Sequence, residues 1–269
     1  MRHPTTFNYG KSWQGRDLRV ESNCSRATLG QGCGVLLIGG VHGDEPATVE
    51  LLQEFSRRHL GNGLPCSVAV LPLANPDGLA AGTRYNARGV DLNRNFPHRW
   101  SQQSVEPAGE APLSEVESVA LRDLVLELKP CRIVSLHWAL AEVEADGPPG
   151  NPLAEQMWSA LTPQQQAPYR LRLYDTAFPP VDYCPGSMGQ WCGHSLHFGG
   201  TMRPSMVTLE LPYAPETPRP PDPLPSDHLQ EVQARWREDK EGYLHATFPA
   251  VEQMLLAACG VSQVAQRPS

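Results

Sequence analysis

The sequence has no apolar run long enough to span a bilayer, and its first ten residues, Met1 to Gly10, lack the apolar core of a secretion signal. A cytoplasmic protein is the expectation. Basic residues are also in deficit: 22 Lys and Arg stand against 29 Asp and Glu, a net charge of −7. Nucleic acid and anionic membrane surfaces need clustered cations, so neither is an expected partner. A small anionic substrate remains compatible, because a local basic pocket can bind a carboxylate whatever the global charge. The seven cysteines, Cys24, Cys33, Cys66, Cys131, Cys184, Cys192 and Cys259, contain no Cys-x-x-Cys pair. An odd number without paired spacing fits reduced, mostly buried thiols better than a disulfide framework or a thiolate zinc site. No internal repeat is visible.

What is present suits a globular fold. The chain is 40% hydrophobic and 19% charged over 269 residues, enough for one large α/β domain spanning residues 1–269. Short apolar runs read as buried strands at Val35 to Ile38, Ser67 to Leu73, Cys131 to Leu136 and Met206 to Leu211. Arg16 to Ser22 alternates and reads as an edge strand. Between these runs, Glu45 to Leu60 has helical periodicity through Val49, Leu52, Phe55 and Leu60. Ser114 to Leu128 reads as a second helix with Ser114 and Glu117 as a capping box, stopped before Pro130. Asn75-Pro76-Asp77-Gly78 is a turn signal. Asp227 to Ala258 carries one or two closing helices. Pro212 to Pro225 reads as an extended surface connection, and Gln263 to Ser269 as a frayed tail. Strands alternating with helices imply a mixed, mostly parallel central sheet with helices on both faces. Such sheets bind ligands beyond the carboxyl ends of their strands, which is where the polar motifs fall.

The first motif is Gly39-Gly40-Val41-His42-Gly43-Asp44-Glu45, at a strand-to-helix turn. A His and a carboxylate three apart can face the same way there, and catalytic zinc sites commonly use two His and one Glu. His137, ending the strand Ile133 to Leu136, is the natural third ligand. A lone His-x-x-Glu occurs often by chance, with His42 a buried histidine and Glu45 a helix N-terminal charge. The second motif, Gly89 to Pro97, sets Asn93 beside Arg94, a pair suited to a terminal carboxylate. Arg84 or Arg88 can polarise a carbonyl and stabilise an oxyanion. The third motif is Met206 to Pro212, where Glu210 interrupts an apolar strand. A carboxylate there costs energy unless it has a partner or a task, and a proton shuttle beside a metal is such a task.

Together these segments resemble the M14 zinc carboxypeptidases. The resemblance runs from about residue 8 to about residue 212, through His-x-x-Glu, Arg84-x-Asn86-x-x-Gly89-Val90-Asp91-Leu92-Asn93-Arg94-Asn95-Phe96, His137 and Glu210 before Pro212. Tyr9 to Ser12, Asn75 to Gly78 and Pro185 to Trp191 are similar to the branch of that family acting on cell-wall peptides. The resemblance implies one zinc ion held by His42, Glu45 and His137. It implies Glu210 as general base and acid, Arg84 as the carbonyl-polarising residue, and Asn93 with Arg94 as a carboxylate clamp. The branch places a substrate-capping Tyr three residues before Pro-Gly-Ser. Here Asp182 stands there and Tyr183 follows, so Tyr183 is the candidate cap. The implied substrate is a small muropeptide, cleaved between γ-D-glutamyl and meso-diaminopimelate. Asp146, Asp182 and Gln190 are candidates for reading the far end of diaminopimelate. Two other readings stand beside this one. An N-acyl amino acid deacylase of the aspartoacylase and succinylglutamate desuccinylase type shares His-x-x-Glu and a shorter Asp-Leu-Asn-Arg. A non-catalytic muropeptide-binding protein would share the cleft but carry no metal.

Overall fold

A computed structural model describes residues 4–32, 34–174, 184–199, 202–213 and 228–261. Asp182, Tyr183, the tail from Gln263 and most of the Pro-rich stretch lie outside the described residues.

Four apolar stretches form the centre of one sheet: β3 (Val35–Ile38), β4 (Val68–Leu71), β5 (Arg132–Trp138) and β8 (Ser205–Leu211). They run parallel in the order β4-β3-β5-β8. Two antiparallel strands, β1 (Thr5–Lys11) and β2 (Asp17–Ser22), extend the β4 side. On the other side β6 (Glu142–Ala145) runs antiparallel to β8, and β7 (Arg170–Arg172) runs parallel to β6. The sheet is therefore mixed, with a parallel core, as the alternation of strands and helices predicts. The expected edge strand is an interior one: β2 lies between β1 and β4, so the edge falls to Thr5–Lys11.

Successive side chains in a strand point to opposite faces, so a strand covered on both sides is apolar throughout. Leu37, Val70, Val134, Leu136, Val207 and Leu209 meet α2 (Pro46–His59), α5 (Asn151–Ser159) and α9 (Lys240–Ala258) in one buried cluster. Leu36, Ile38, Leu71, Ile133 and Met206 meet Leu121, Leu124 and Leu128 of α4 (Val116–Leu128) in the other, together with Phe96 and Trp191. Short helices α1 (Arg26–Leu29), α3 (Pro76–Ala81), α6 (Pro163–Gln166) and α7 (Met188–Gln190) sit in the connections, and α8 (His228–Glu238) precedes α9.

On the α4 face the alternation changes character along the strand. β5 presents Ile133, then Ser135, then His137; β8 presents Met206, then Thr208, then Glu210. Ile133 pairs with Met206, Ser135 with Thr208, and His137 with Glu210. The floor of this face is thus apolar at the amino ends and polar at the carboxyl ends, which is where the cleft opens.

Two local expectations change. Asn75 to Gly78 is a helix start instead of a free turn: the Asn75 side chain accepts from Gly78 N and caps α3, with Pro76 in the first turn. The Ser114–Glu117 capping box does not form. The cap position is Glu115, Ser114 Oγ donates to Glu115 Oε1, and Glu117 accepts from Trp13 N. Both acids instead receive Asn86 Nδ2, so the loop that follows α3 claims the groups a capping box needs.

Candidate metal centre

Helix α3 supports the loop after β3. Asn75 N donates to Gly40 O at 2.8 Å and Ala74 N to Gly39 O at 3.0 Å. Gly43 lies so close to the α3 backbone that a Cβ would meet the Gly78 carbonyl carbon at 2.0 Å, so no larger residue fits there. The loop so fixed delivers His42 and then Glu45, the residue before α2.

His42, Glu45 and His137 are brought together and buried, and their ligand atoms all lie within 4.8 Å of one another. His42 Nδ1 is 2.7 Å from Glu45 Oε1 and 3.2 Å from His137 Nδ1. Glu45 Oε2 is buried without a hydrogen-bond partner, 3.3 Å from His137 Nδ1. Two imidazole nitrogens and a carboxylate oxygen facing one point, with one oxygen lacking a donor, fit a divalent cation. The electrostatics agree. Burial opposes charge on His42, but the carboxylates of Glu45 and Asp91 outweigh it and hold the imidazole up at about 9. Burial raises Glu45, but His42 and His137 pull it down to about 2. The cluster favours positive charge at its centre.

The outer nitrogens of the two histidines are also engaged. His42 Nε2 is 3.1 Å from Asp91 Oδ1, and His137 Nε2 is 3.1 Å from Ser135 Oγ. Such partners fix which ring nitrogen is presented inward. Asp91 also accepts from Arg84 Nε at 2.9 Å and from Asn93 N at 2.8 Å. Sequence reasoning gave Asp91 and Ser135 no role. Ser135 was visible as a polar residue two before His137 in an apolar strand, and Asp91 as the acid of the Gly-Val-Asp-Leu-Asn-Arg run. Asp91→Asn should weaken metal binding roughly 10- to 100-fold, read by competition with a chelator. Equal affinities would make Asp91 a partner of Arg84 alone.

Glu210 lines the same cleft, a cavity of about 310 Å³. Its Oε2 accepts from Leu140 N at 3.4 Å. Burial, then the Glu45 carboxylate, push its carboxyl up to about 8. Arg84, Asn93 and Arg94 line the cleft as well. Arg84 Nη1 is 3.3 Å from His42 Nδ1 and 3.8 Å from Glu45 Oε1. Burial disfavours its charge, but Asp91 and Glu45 keep the guanidinium firmly protonated. The Asn93 side-chain oxygen accepts from Met188 N at 2.9 Å, which leaves its NH2 group as a donor. Arg94 Nη1 donates to Asn93 O at 2.8 Å. Arg88, the alternative cation, turns elsewhere: it pairs with Glu110 and Glu115 and covers the Trp13 ring.

The Pro-Gly-Ser segment has a structural reason. Gly186 sits against the Arg94 carbonyl with φ of +76°, its carbonyl accepts from Phe96 N, and Ser187 caps α7. Phe96 then stacks on Trp191 at 5.3 Å. This docking holds the Asn93–Arg94 turn in place. Tyr183 lies outside the described residues. Of the other candidates, Asp146 and Gln190 both line the cleft, with Glu144, Arg172 and Thr208.

A sheet of this order, with these side chains gathered at the carboxyl ends of parallel strands, defines a hydrolase of the metallocarboxypeptidase fold. Comparison with known proteins agrees. Murein peptide amidase A of Escherichia coli K12 is 33% identical over 245 residues, 85% of this chain and 86% of that protein. The crystal structure of murein-tripeptide amidase from Escherichia coli O157 superposes with a TM-score of 0.56 and 26% identity, covering 96% of this chain and 98% of that one. Bovine thrombin-activatable fibrinolysis inhibitor shares the fold, with a TM-score of 0.69 at 18% identity, over 96% and 90% of the two chains. The family model for the Succinylglutamate desuccinylase/Aspartoacylase catalytic domain matches residues 31–135. The chain belongs to the M14 metallocarboxypeptidase family, within its murein peptide amidase A group, and is a hydrolytic enzyme. No helix among the described residues is long and apolar enough to cross a membrane.

Proposed function

We propose that the chain, as one catalytic domain, is a zinc-dependent amidase that cleaves the bond next to a free carboxylate. Its substrate is the γ-D-glutamyl–meso-diaminopimelate bond of small cell-wall peptides, met in the cytoplasm. The observation that carries this reading is a single cleft lined by His42, Glu45, His137, Glu210, Arg84, Asn93 and Arg94. The likeness to murein peptide amidase A along most of both chains supports the substrate class.

His42, Glu45 and His137 would hold the ion. A zinc ion bound there would supply Lewis-acid chemistry. Glu210 accepts a proton from the attacking water and delivers it to the leaving amine. Arg84 stays charged and donates to the carbonyl oxygen as negative charge develops there. The Asn93 amide and the Arg94 fork grip the carboxylate beside the scissile bond. The closing experiment is release of diaminopimelate from the cell-wall tripeptide with and without a chelator; no release from metal-loaded protein sinks the reading.

The clamp has its own test. Arg94→Lys keeps the charge but loses the planar fork, so kcat/KM should fall. Amidating the terminal carboxylate removes a hydrogen bond to a charged group, worth roughly 1.5–3 kcal/mol. Equal kcat/KM for free and amidated ends would take the clamp out of the mechanism.

The match of residues 31–135 to the desuccinylase/aspartoacylase model favours a second reading, an N-acyl amino acid deacylase. That match covers the Glu45 and Asp91 segments but ends before His137 and Glu210. Turnover of N-acetyl-aspartate in preference to the γ-glutamyl peptide would decide for it.

A further inference from the structure

The amino ends of the parallel strands face away from the cleft, and thiols gather there. Cys66 stands two residues before β4, and Cys259 directly follows α9. Cys66 packs with Val68 and Val70 against the α2 and α9 layer, in the buried cluster that also holds Cys259. Cys24 packs on the α4 side. Strand alternation thus sorts these thiols by face and leaves Cys66 and Cys259 together on one of them. Cys66 Sγ donates to the Cys259 carbonyl oxygen at 3.2 Å, and the two thiols are hydrogen-bonded to each other. Positions 193 apart in the chain meet in this contact, which no cysteine spacing in the sequence announces.

The two sulfurs differ in access and in proton affinity. Cys66 is partly exposed and lines a surface cavity of about 400 Å³, with Asn23, Cys24 and Pro65 beside it. Cys259 is 1% exposed. The hydrogen bond from the Cys259 thiol pulls Cys66 down to about 7, with burial opposing and Arg132 assisting. The same contact, then burial, holds Cys259 up, so it keeps its proton. An accessible thiolate is the sulfur that oxidants reach first, and a neighbouring thiol resolves the product as a disulfide. Cys24, which shares the cavity, turns to Ser22 Oγ at 3.7 Å, and Cys131 donates to Gly34 O at 3.5 Å.

We propose that Cys66 and Cys259 form a redox-reactive thiol pair that a peroxide converts to a disulfide, with Cys66 reacting first. The Cys66 thiolate attacks one peroxide oxygen and the O–O bond breaks. Cys66 becomes a sulfenic acid, and the released hydroxide takes up the proton that Cys66 lost and leaves as water. The Cys259 sulfur then attacks the Cys66 sulfur, and the S–O bond breaks. Hydroxide leaves as a second water, carrying the Cys259 proton. Two thiols lose two electrons, and one peroxide is reduced to two waters. The disulfide ties the end of α9 to the entry of β4 and constrains the unfolded chain. The pair lies at the far end of the sheet from the cleft and does not rest on the hydrolase reading.

The test treats reduced full-length protein with hydrogen peroxide, alkylates the remaining thiols and maps the peptides by mass spectrometry. The parent should lose alkylation at Cys66 and Cys259, yield a peptide joining them, and regain both thiols on reduction. Cys66→Ser and Cys259→Ser should each lose the cross-link, and Cys24→Ser should keep it. In Cys259→Ser, Cys66 should stop at the sulfenic acid and be trapped by dimedone. The oxidised parent should melt above the reduced parent, a shift absent from Cys259→Ser. A cross-link from Cys66 to Cys24, or both thiols alkylated as fully after peroxide as before, overturns the pair. A dimedone adduct on Cys259 in Cys66→Ser, with none on Cys66 in Cys259→Ser, overturns the order of attack. The peptide map of the parent decides the pairing even where a variant fails to fold.

Discussion

Glu210→Gln should keep its metal and lose turnover by ~10²–10⁴-fold, the usual cost of removing a general base. Gln matches the shape of Glu but cannot accept the water's proton. The expectation comes from register: Glu210 is paired across β5 and β8 with His137, so both side chains stand on one face at the carboxyl end of the sheet. The pH dependence has a definite sign. Glu210 must be ionised to act, so kcat/KM of the parent should fall as pH drops through its pKa. That value is held up to about 8 by burial and Glu45 and is drawn down by a bound cation. Stability should move the other way. A carboxyl with a raised folded pKa leaves the folded state with more bound protons between its ordinary value of 4.5 and about 8, so its contribution to stability declines as pH rises through that window. Metal-free Glu210→Gln should therefore melt no lower than the parent at pH 8. Activity within a few-fold of the parent would make Glu210 a structural residue.

His137→Ala should abolish stoichiometric metal and with it activity. Parent protein should carry about one zinc. Removing one of three donors leaves His42 and Glu45, which already contact each other at 2.7 Å and can satisfy one another. Metal analysis of the purified variant, beside the parent, is the measurement; full occupancy in the variant would overturn the ligand set. The parent should also melt higher when loaded than when stripped, because an ion bound only by the folded chain stabilises it by mass action.

Much of this was legible in the sequence, for a reason that also marks the limit. The parallel core was readable because β3, β4, β5 and β8 are covered on both faces, so β3 and β4 are wholly apolar and β5 and β8 turn polar on one face only near their carboxyl ends. Strands β1, β6 and β7 were not readable. Their residues are mixed in character because they sit at the margins of the sheet, and β6 with β7 carry Glu142, Glu144, Arg170 and Arg172 as strand residues. Glu142 is 2% exposed and paired with both arginines, so its burial depends on a partner some thirty residues away that no local pattern announces. The same holds for Asp91, an ordinary acid in sequence whose meaning comes from His42. The segments bearing His42, Glu45, His137 and Glu210 stood out because each breaks an apolar context abruptly. The segment from Asn75 is a helix start and not a free turn because Asn-Pro opens a helix as readily as a turn, and the Gly40–Gly43 loop packed on α3 is what distinguishes the two.

The pairing of His137 with Glu210 has an implication for how this enzyme can change. Side chains in a strand alternate, so sliding β8 by a single residue along β5 would turn Glu210 into the helix-packed layer and bring Leu209 or Leu211 to the cleft. A one-residue insertion or deletion within Ser205–Leu209 should thus be far more damaging than several substitutions on the outer helices. Connections that carry no cleft residue can lengthen without disturbing the phase of the alternation. What a lineage must preserve here is parity: an even separation, four positions, from Met206 to Glu210, kept in step with the four from Ile133 to His137.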